Sequence, residues 1–279
     1  MSIPDHQPET LDEQMIRYYM QGKEARRLSV GIGPLEQART RELIGRYLSE
    51  APQVVLDVGG GPGVYACWLA RQGHEVHLID ALPLHVEQAR QASEAQPDAP
   101  LASCLVGDAR WLQASDGMAD AALLYGPLYH LLEKNDRLRA LRECRRVLRP
   151  GGLLMAVGIS RFASLHVGLV RGWIDDEDFR QMVENEVADG RHLPPQNFPG
   201  LFTKAYFHHP DELSWEVEEA GYRRLATLAV EGAGWLAPDL ETRWHDRRQR
   251  EAILVAVRLT ECEHAVLGLS PHIMVVARK

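Results

Sequence analysis

A carboxylate followed by evenly spaced glycines is the feature of this sequence that could carry chemistry most directly. Asp57 precedes Gly59, Gly61 and Gly63 in the stretch VVLDVGGGPG, and the helix-like stretch VYACWLARQG follows at once. Glycine lets the backbone turn tightly and approach a ligand closely, because it has no Cβ that would clash. An apolar run, a glycine turn and a helix form the nucleotide-binding opening of an open α/β sheet. The stretch therefore predicts a cofactor site at this turn.

The spacing of the glycines distinguishes two classes of cofactor. The dinucleotide pattern G-x-G-x-x-G needs a third glycine at position 64, where this chain has Val64. The pattern D-x-G-x-G-x-G from Asp57 to Gly63 instead resembles motif I of the class I S-adenosylmethionine (SAM) dependent methyltransferases. In that family the turn passes beneath the methionine part of SAM, the acid helps to organise the site, and the product is S-adenosylhomocysteine (SAH). An NAD(P)-dependent oxidoreductase remains the alternative, and Asp57 could also serve only to cap the turn.

Two further acids end the next two predicted strands. Asp80 ends HEVHLID and precedes Ala81, and Asp108 ends LASCLVGD and precedes Ala109. Doubly wound folds place an acid such as Asp80 against ribose hydroxyls, and its two oxygens can accept both hydroxyl protons. The resemblance implies that Asp108 and Ala109 contact the adenine, with a helix N-cap as the alternative role of Asp108. The pattern L-x-P-G-G-x-L at 148–154 is also common in this family.

The loop after the fourth predicted strand is the expected position of the chemistry. It reads Y-G-P-L-Y-H and contains Tyr125, Tyr129 and His130, and in the resembled fold it lies beside the methyl group. His130 is the leading candidate for a general base, because the unperturbed pKa of histidine lies near neutrality. We expect Tyr129 to orient the acceptor and Tyr125 to line the SAM site. A base is needed only if the acceptor must lose a proton, so a purely hydrogen-bonding role for His130 stays open.

The same loop restricts the class of acceptor. Methyltransferases that act on the amino groups of adenine or glutamine carry N/D-P-P-Y at this position, whereas this chain has Y-G-P-L-Y. We therefore predict in-line methyl transfer to a small-molecule acceptor, with an O, N or C atom undecided. The candidate substrate residues are aromatic, basic or imidazole side chains in the predicted cap, in the predicted lid and at its end, namely Tyr18, Tyr19, Arg161, Tyr206 and His209.

Strands and helices alternate from Val54 to Ser160, which predicts an α/β, doubly wound, mostly parallel sheet. The resemblance implies seven strands, with an antiparallel last strand inserted between strands five and six. The stretch after strand five is too long for a simple connection and is rich in proline and aromatic residues, which predicts an inserted lid. The predicted units are an N-terminal helical cap (1–50), a SAM-binding core (51–160), a lid that binds the acceptor (161–208) and a C-terminal completion of the sheet (209–279).

Composition excludes several other classes of protein. A formal net charge of −8 over 279 residues argues against a nucleic-acid partner. No apolar stretch approaches the roughly 18 residues of a membrane helix, and the N-terminus has no signal-peptide pattern, so we expect a cytoplasmic protein without membrane contacts. The cysteines and histidines have no metal-ligand spacing, so we predict no metal. A homodimer stays open, as does a non-catalytic SAM-binding regulatory protein.

Overall fold

The structure, a computed structural model, describes residues 13–22, 24–198 and 200–279. The strands within these residues are β1 (Val54–Val58), β2 (Glu75–Asp80), β3 (Ser103–Val106), β4 (Ala119–Tyr125), β5 (Leu148–Ile159), β6 (Arg191–His192), β7 (Ala205–Tyr206), β8 (Arg223–Ala229) and β9 (His272–Arg278). Seven of them form one sheet in the order β3-β2-β1-β4-β5-β9-β8. Neighbours among the first five strands are parallel, whereas β9 runs antiparallel to both β5 and β8. The predicted doubly wound sheet with its antiparallel last strand is confirmed.

The helices within the described residues are α1 (Glu13–Tyr19), α2 (Glu24–Arg27), α3 (Gly33–Tyr47), α4 (Val64–Arg71), α5 (Pro83–Glu94), α6 (Pro127–His130), α7 (Lys134–Val147), α8 (Ala163–Arg171), α9 (Glu177–Asp189), α10 (Pro210–Glu219), α11 (Leu240–His245), α12 (Arg247–Thr260) and α13 (His264–Leu267). Short 3₁₀ turns cover Trp173–Asp175 and Gly234–Leu236. Helices α11 and α12 are separated at Asp246, whose backbone is extended. The Asp246 side chain accepts a hydrogen bond from the Gln249 amide and so begins α12 as its N-cap.

The core consists of two apolar layers, one on each face of the sheet. Successive side chains of a strand point to opposite faces, so Leu56 and Val58 pack with Leu141 of α7 in one layer. Val55 lies in the other layer, where it packs with Ile44 of α3. Burial of one such aliphatic side chain contributes about 1.5–3 kcal/mol. Helices therefore have to cover both faces, which leaves the ends of the strands as the place for a ligand.

The direction of β9 brings an additional residue to the edge where the cofactor site is predicted. The parallel strands β1, β2, β4 and β5 all end at that edge. Because β9 is antiparallel, it begins there, with His272 opposite Ile159, the last residue of β5. A side chain from the start of the last strand therefore joins those from the ends of the parallel strands.

Helices α1 to α3 occupy the described part of the predicted cap, and its first twelve residues lie outside the described residues. The predicted lid (161–208) contains α8, α9 and the short antiparallel pair β6–β7. It has an apolar cluster of its own around Phe179, Met182 and Val183. Within the described ranges, no helix has the combination of length and apolar character that a bilayer span requires.

Candidate active site

The glycine turn joins β1 to α4, and at Gly59 it leaves no space for a side chain. The position that a Cβ would take on Gly59 lies 2.4 Å from Pro127 Cδ, and Gly59 has a φ of +74°. The Gly59 amide donates to the Ile79 carbonyl at 2.7 Å, and the Gly61 amide donates to Asp80 Oδ2 at 2.9 Å. Gly63 is the N-cap of α4, so it shapes the turn and does not line the cavity described below. Glycine at position 59 is thus required because the turn after β1 and the loop after β4 approach each other there.

Asp57 lies beneath this turn and is almost completely buried. Burial, and to a lesser degree the charge of Asp80, raises the pKa of the Asp57 carboxyl to about 7. Neither of its carboxylate oxygens has a hydrogen-bond partner among the described residues. Since buried polar groups are normally paired, Asp57 is prepared for a ligand group that carries a proton or a positive charge.

Asp80 organises the turn from the end of β2. Its Oδ2 accepts the Gly61 bond, while its Oδ1 accepts from the Leu82 amide at 2.9 Å and pairs with His85 Nδ1 at 3.1 Å. Asp80 and the adjacent Ala81 both line the cavity. The side chain is therefore held in one orientation at the place where the sequence predicts the ribose hydroxyls.

Asp108 and Ala109 line the cavity at the end of β3. Arg110 grips the Asp108 carboxylate, with Nη2 at 2.7 Å and Nε at 3.1 Å from Oδ2. The same guanidinium reaches Asp136 at 3.2 Å. The structure thus places Asp108 in the cavity wall and balances its charge with an arginine, and its contact with adenine stays a prediction.

The loop after β4 forms the middle of the cavity wall, where Tyr125, Tyr129 and His130 lie. Burial raises the pKa values of both tyrosine hydroxyls well above their usual range, so both are protonated. Burial also lowers the pKa of His130 to about 4, and Asp80 only partly opposes this effect. His130 is therefore neutral near pH 7, and Nδ1 of its ring has no hydrogen-bond partner among the described residues.

The cap closes against this loop through Tyr19. The Tyr19 hydroxyl lies 2.8 Å from His130 Nε2, and its ring packs edge-on against those of His130 and His85 at centroid distances of 5.5 and 5.0 Å. Tyr18 points elsewhere and packs against Phe202 at 5.4 Å. Of the two predicted tyrosines of the cap, Tyr19 lines the cavity, whereas Tyr18 packs behind it against Tyr19 and Phe202.

Three other predicted substrate residues lie away from the cavity. The Arg161 guanidinium donates to the Tyr206 hydroxyl at 3.0 Å and pairs with Glu212. The His209 side chain accepts from the Asp211 amide and begins α10. These contacts connect the predicted lid to α10, and no described residue of 161–208 is among those that line the cavity. The acceptor-binding role of this segment therefore stays a prediction, and its Arg161 and Tyr206 side chains contact Glu212 of α10.

The end of the cavity opposite Asp108 is formed by residues that could not be identified from the sequence. We call this end the acceptor chamber, and it is lined by Arg27, Glu36, Tyr65, Val157, Val230 and His272. The Arg27 guanidinium donates to both Glu36 carboxylate oxygens, at 2.5 and 2.9 Å. The start of β9 offered a signal, because an antiparallel last strand must begin at the edge of the sheet where the cofactor binds.

One cavity of about 380 Å³ connects these regions, from Asp108 past the glycine turn to His272. Its volume lies in the range of roughly 300–1,000 Å³ that is typical of small-ligand sites. Several buried polar atoms of lining residues have no hydrogen-bond partner within the described part of the chain: both Asp57 carboxylate oxygens, the Tyr65 hydroxyl, His85 Nε2 and His130 Nδ1. A bound polar ligand would satisfy such atoms, and SAM with its ammonium, carboxylate and ribose groups is of this kind.

Comparison with known proteins identifies the family. Residues 56–156 match a family model described as a methyltransferase domain. Methyltransferase GfsG of Streptomyces halstedii is 32% identical over 203 residues, which cover 71% of this chain and 64% of GfsG. The chain belongs to the class I SAM-dependent methyltransferases. The cofactor of this methyltransferase is therefore SAM, and the match argues against the NAD(P)-dependent alternative.

One further sequence relative and one solved structure are similar to this methyltransferase over most of its length. A tRNA 5-carboxymethoxyuridine methyltransferase of Escherichia coli O157:H7 is 27% identical over 255 residues, covering 88% of this chain and 89% of that protein. The crystal structure of a SAM-dependent methyltransferase from Methanosarcina mazei has a TM-score of 0.58 at 20% identity, covering 85% of this chain and 96% of that one. The second likeness is one of fold. The chain spans less than two thirds of the length of GfsG, so the acceptor has to be argued from the site itself.

Proposed function

We propose that this methyltransferase transfers the methyl group of SAM to a small-molecule acceptor bound in the acceptor chamber. The observation that carries the proposal is the single cavity that runs along the edge of the sheet, with the predicted cofactor residues at one end and a separate polar chamber at the other. The loop with Tyr129 and His130 lies between the two ends. This arrangement suits a reaction in which donor and acceptor meet end to end.

The cofactor end of the cavity suits a positively charged ligand. Carboxylates outnumber guanidinium groups in this part of the lining, which contains Asp57, Asp80, Asp108, Glu133 and Asp136 against Arg110. SAM supplies a methyl group that is activated by a positively charged sulfonium. Asp57, whose pKa is raised to about 7, gains its charge most easily when a cation lies beside it. We assign Asp57, Asp80 and the Gly59–Gly63 turn to the cofactor.

The acceptor end suits a compact molecule. Tyr19 of the cap and the loop after β4 meet at the His130 ring, which limits the space for an acceptor beside the methyl group. We propose that Tyr129 and His130 form the wall at the place where the methyl group is transferred. His130 is a weak base here, because its pKa is lowered to about 4 and Tyr19 occupies its Nε2. Its proposed task is to fix the cap over the reacting groups and exclude water.

An acceptor within RNA is the second candidate. It is favoured by the tRNA methyltransferase of Escherichia coli, to which the alignment extends over nearly the whole of both chains. The net charge of −8 favours the small molecule, since RNA binding normally uses a basic surface.

The test uses SAM with a deuterated methyl group and two acceptor pools. The full chain is incubated with a small-metabolite extract or with bulk tRNA, and the products are analysed by mass spectrometry for a deuterated methyl adduct. Label in a metabolite supports the proposal, whereas label confined to a nucleoside of the tRNA supports the second candidate. Tight SAH binding by calorimetry without label in either pool would point to the non-catalytic regulatory protein.

A further inference from the structure

A histidine that lines the acceptor chamber pairs with a buried carboxylate, and this pair takes no part in the function described so far. Glu231 follows β8 and His272 opens β9, so the antiparallel pairing of these strands brings the two residues together. His272 Nδ1 lies 2.6 Å from Glu231 Oε1. The other ring nitrogen, Nε2, has no hydrogen bond to a described residue, and His272 lines the cavity. Nε2 is thus the nitrogen that a ligand in the chamber can reach.

Glu231 is fixed more firmly than a surface carboxylate would be. It is completely buried, and its Oε2 accepts from the Ser270 hydroxyl and from the His272 amide, both at 3.0 Å. The Ser270 hydroxyl in turn accepts from the Glu231 and Gly232 amides, each at 3.1 Å. With its oxygens held by these donors, Glu231 can keep the proton of the imidazole on Nδ1. This is how a base is oriented by a third group in nucleophilic and acid–base sites.

Two charged groups and one neutral titratable group on three other elements face the ring. Glu36 of α3 places Oε2 at 3.9 Å from His272 Nδ1, and Arg27 of α2 pairs with that same carboxylate. Tyr65 of α4 adds a buried hydroxyl, protonated because burial raises its pKa. Burial lowers the pKa of His272, but Glu231 and Glu36 outweigh burial and Arg27 and raise it to about 8. The ring is thus a stronger base than free histidine, with a pKa near working pH, as proton abstraction requires.

We propose that His272 is the general base of this methyltransferase, that Glu231 positions it, and that the acceptor accordingly carries a hydroxyl group. This inference rests on the proposed function and narrows its acceptor class. His272 Nε2 removes the proton of the acceptor hydroxyl. The oxygen then forms its bond to the methyl carbon while the carbon–sulfur bond breaks, and that electron pair returns to sulfur to leave neutral SAH. The proton on His272 passes to solvent when product leaves.

The chamber favours a hydroxyl over other acceptors. A carboxylate acceptor has no proton to lose and would lie beside the Glu36 carboxylate. An ammonium acceptor would have to approach a ring that carries positive charge at neutral pH. A hydroxyl is neutral until its proton leaves, which suits walls that include Tyr65, Val157 and Val230. The oxyanion that then forms lies next to the protonated imidazole, which stabilises it.

A bound metal is a poorer explanation of the same cluster. One ligand atom from each of Glu36, Glu231 and His272 lies within 4.8 Å of the others. However, the Arg27 guanidinium donates to both oxygens of Glu36, and His272 Nδ1 is bonded to Glu231. The Glu36 carboxylate is thus already neutralised by a guanidinium, and His272 Nδ1 is already engaged with Glu231. The cluster therefore suits proton transfer better than metal binding.

The first test follows the ring itself and needs no acceptor. In the full chain with SAH bound, the ¹⁵N and ¹H resonances of His272 are followed by NMR from about pH 6 to about pH 9, and His272→Gln identifies them. We expect a midpoint near 8 with the proton on Nδ1 at high pH. A midpoint below about 6.5, or a neutral ring protonated on Nε2, would overturn the inference.

The second test compares the methylation rates of two acceptors, one that needs a general base and one that does not. Phenol and thiophenol are offered with SAM, since thiophenol loses its proton in solution and phenol keeps it. We expect His272→Gln to lower phenol methylation by about 100-fold or more and to leave thiophenol methylation and the SAH dissociation constant nearly unchanged. The exposed His264→Gln is the matched control.

An equal loss of phenol and thiophenol methylation in His272→Gln would refute the role of His272 as general base, and so would a wild-type chain that does not methylate phenol. In both cases the proposed function would still hold if the chain binds SAH. Absence of SAH binding would instead refute the proposed function. Because wild-type phenol turnover should also rise with pH toward a plateau above about 8, a flat profile would count against His272 even if the variant failed to fold.

Discussion

Replacement of Asp80 by asparagine should weaken cofactor binding and loosen the glycine turn together. Asp80 accepts three hydrogen bonds, from the Gly61 and Leu82 amides and from His85. Asparagine keeps one acceptor oxygen and turns an amino group toward a donor, so at least one bond is lost. Bonds to a charged group contribute about 1.5–3 kcal/mol and neutral ones about 0.5–1.5 kcal/mol. We therefore expect Asp80→Asn to lower the free energy of unfolding by about 2–4 kcal/mol.

Cofactor affinity is the second quantity to measure in this variant. If the Asp80 oxygens take the ribose hydroxyl protons, their loss should cost about 1–3 kcal/mol of binding, which raises the SAH dissociation constant roughly 5- to 150-fold. Urea unfolding gives the stability, and titration calorimetry gives the affinity at a temperature where the variant is folded. Asp116→Asn is the matched control, because its 79% exposed side chain pairs with Arg146 away from the cavity. A destabilised variant that binds SAH as tightly as the wild type would show that Asp80 only holds the turn.

Three further predictions follow from other contacts. Tyr19→Phe removes the 2.8 Å hydrogen bond that fixes the cap to His130, so SAH should dissociate several-fold faster in stopped-flow measurements. An unchanged dissociation rate would show that the cap does not retain the cofactor. Because the raised pKa of Asp57 is about 7 and its ionised form attracts the ammonium group that SAH shares with SAM, SAH affinity should fall up to about tenfold per unit as the pH drops below 7, and Asp57→Asn should abolish that dependence. Arg137→Ala leaves the buried Glu216 carboxylate without its guanidinium partner and with only His208 Nε2 at 3.4 Å, so urea unfolding should show a loss of about 3–5 kcal/mol, whereas a loss below about 1 kcal/mol would contradict this description of the pair.

The sheet and the cofactor end could be predicted because their determinants are local in sequence. Asp57, the glycines and Asp80 each follow directly from an apolar run, and parallel strands must bring such residues to one edge. The two-residue alternation of Leu56 and Val58 against Val55 likewise places helices on both faces. Pattern and spacing are sufficient for these features.

The acceptor chamber could not be assembled in the same way. Arg27, Glu36, Glu231 and His272 come from the cap, from the turn after β8 and from the start of β9, and no spacing connects them. Conversely, Arg161 and His209 have the residue types of a binding site, yet their partners are Glu212 and Asp211, which hold the predicted lid and begin α10. Charged and imidazole side chains look alike in sequence whether they bind a ligand or a neighbouring helix.

The decisive measurement is a crystal structure of the full chain with SAH bound. We expect adenine beside Asp108, ribose hydroxyls at Asp80 and the sulfur beside the Tyr129–His130 loop, open toward the chamber that contains His272. An SAH molecule whose sulfur faces away from that chamber, or whose adenine fills it, would contradict the proposed arrangement of donor and acceptor.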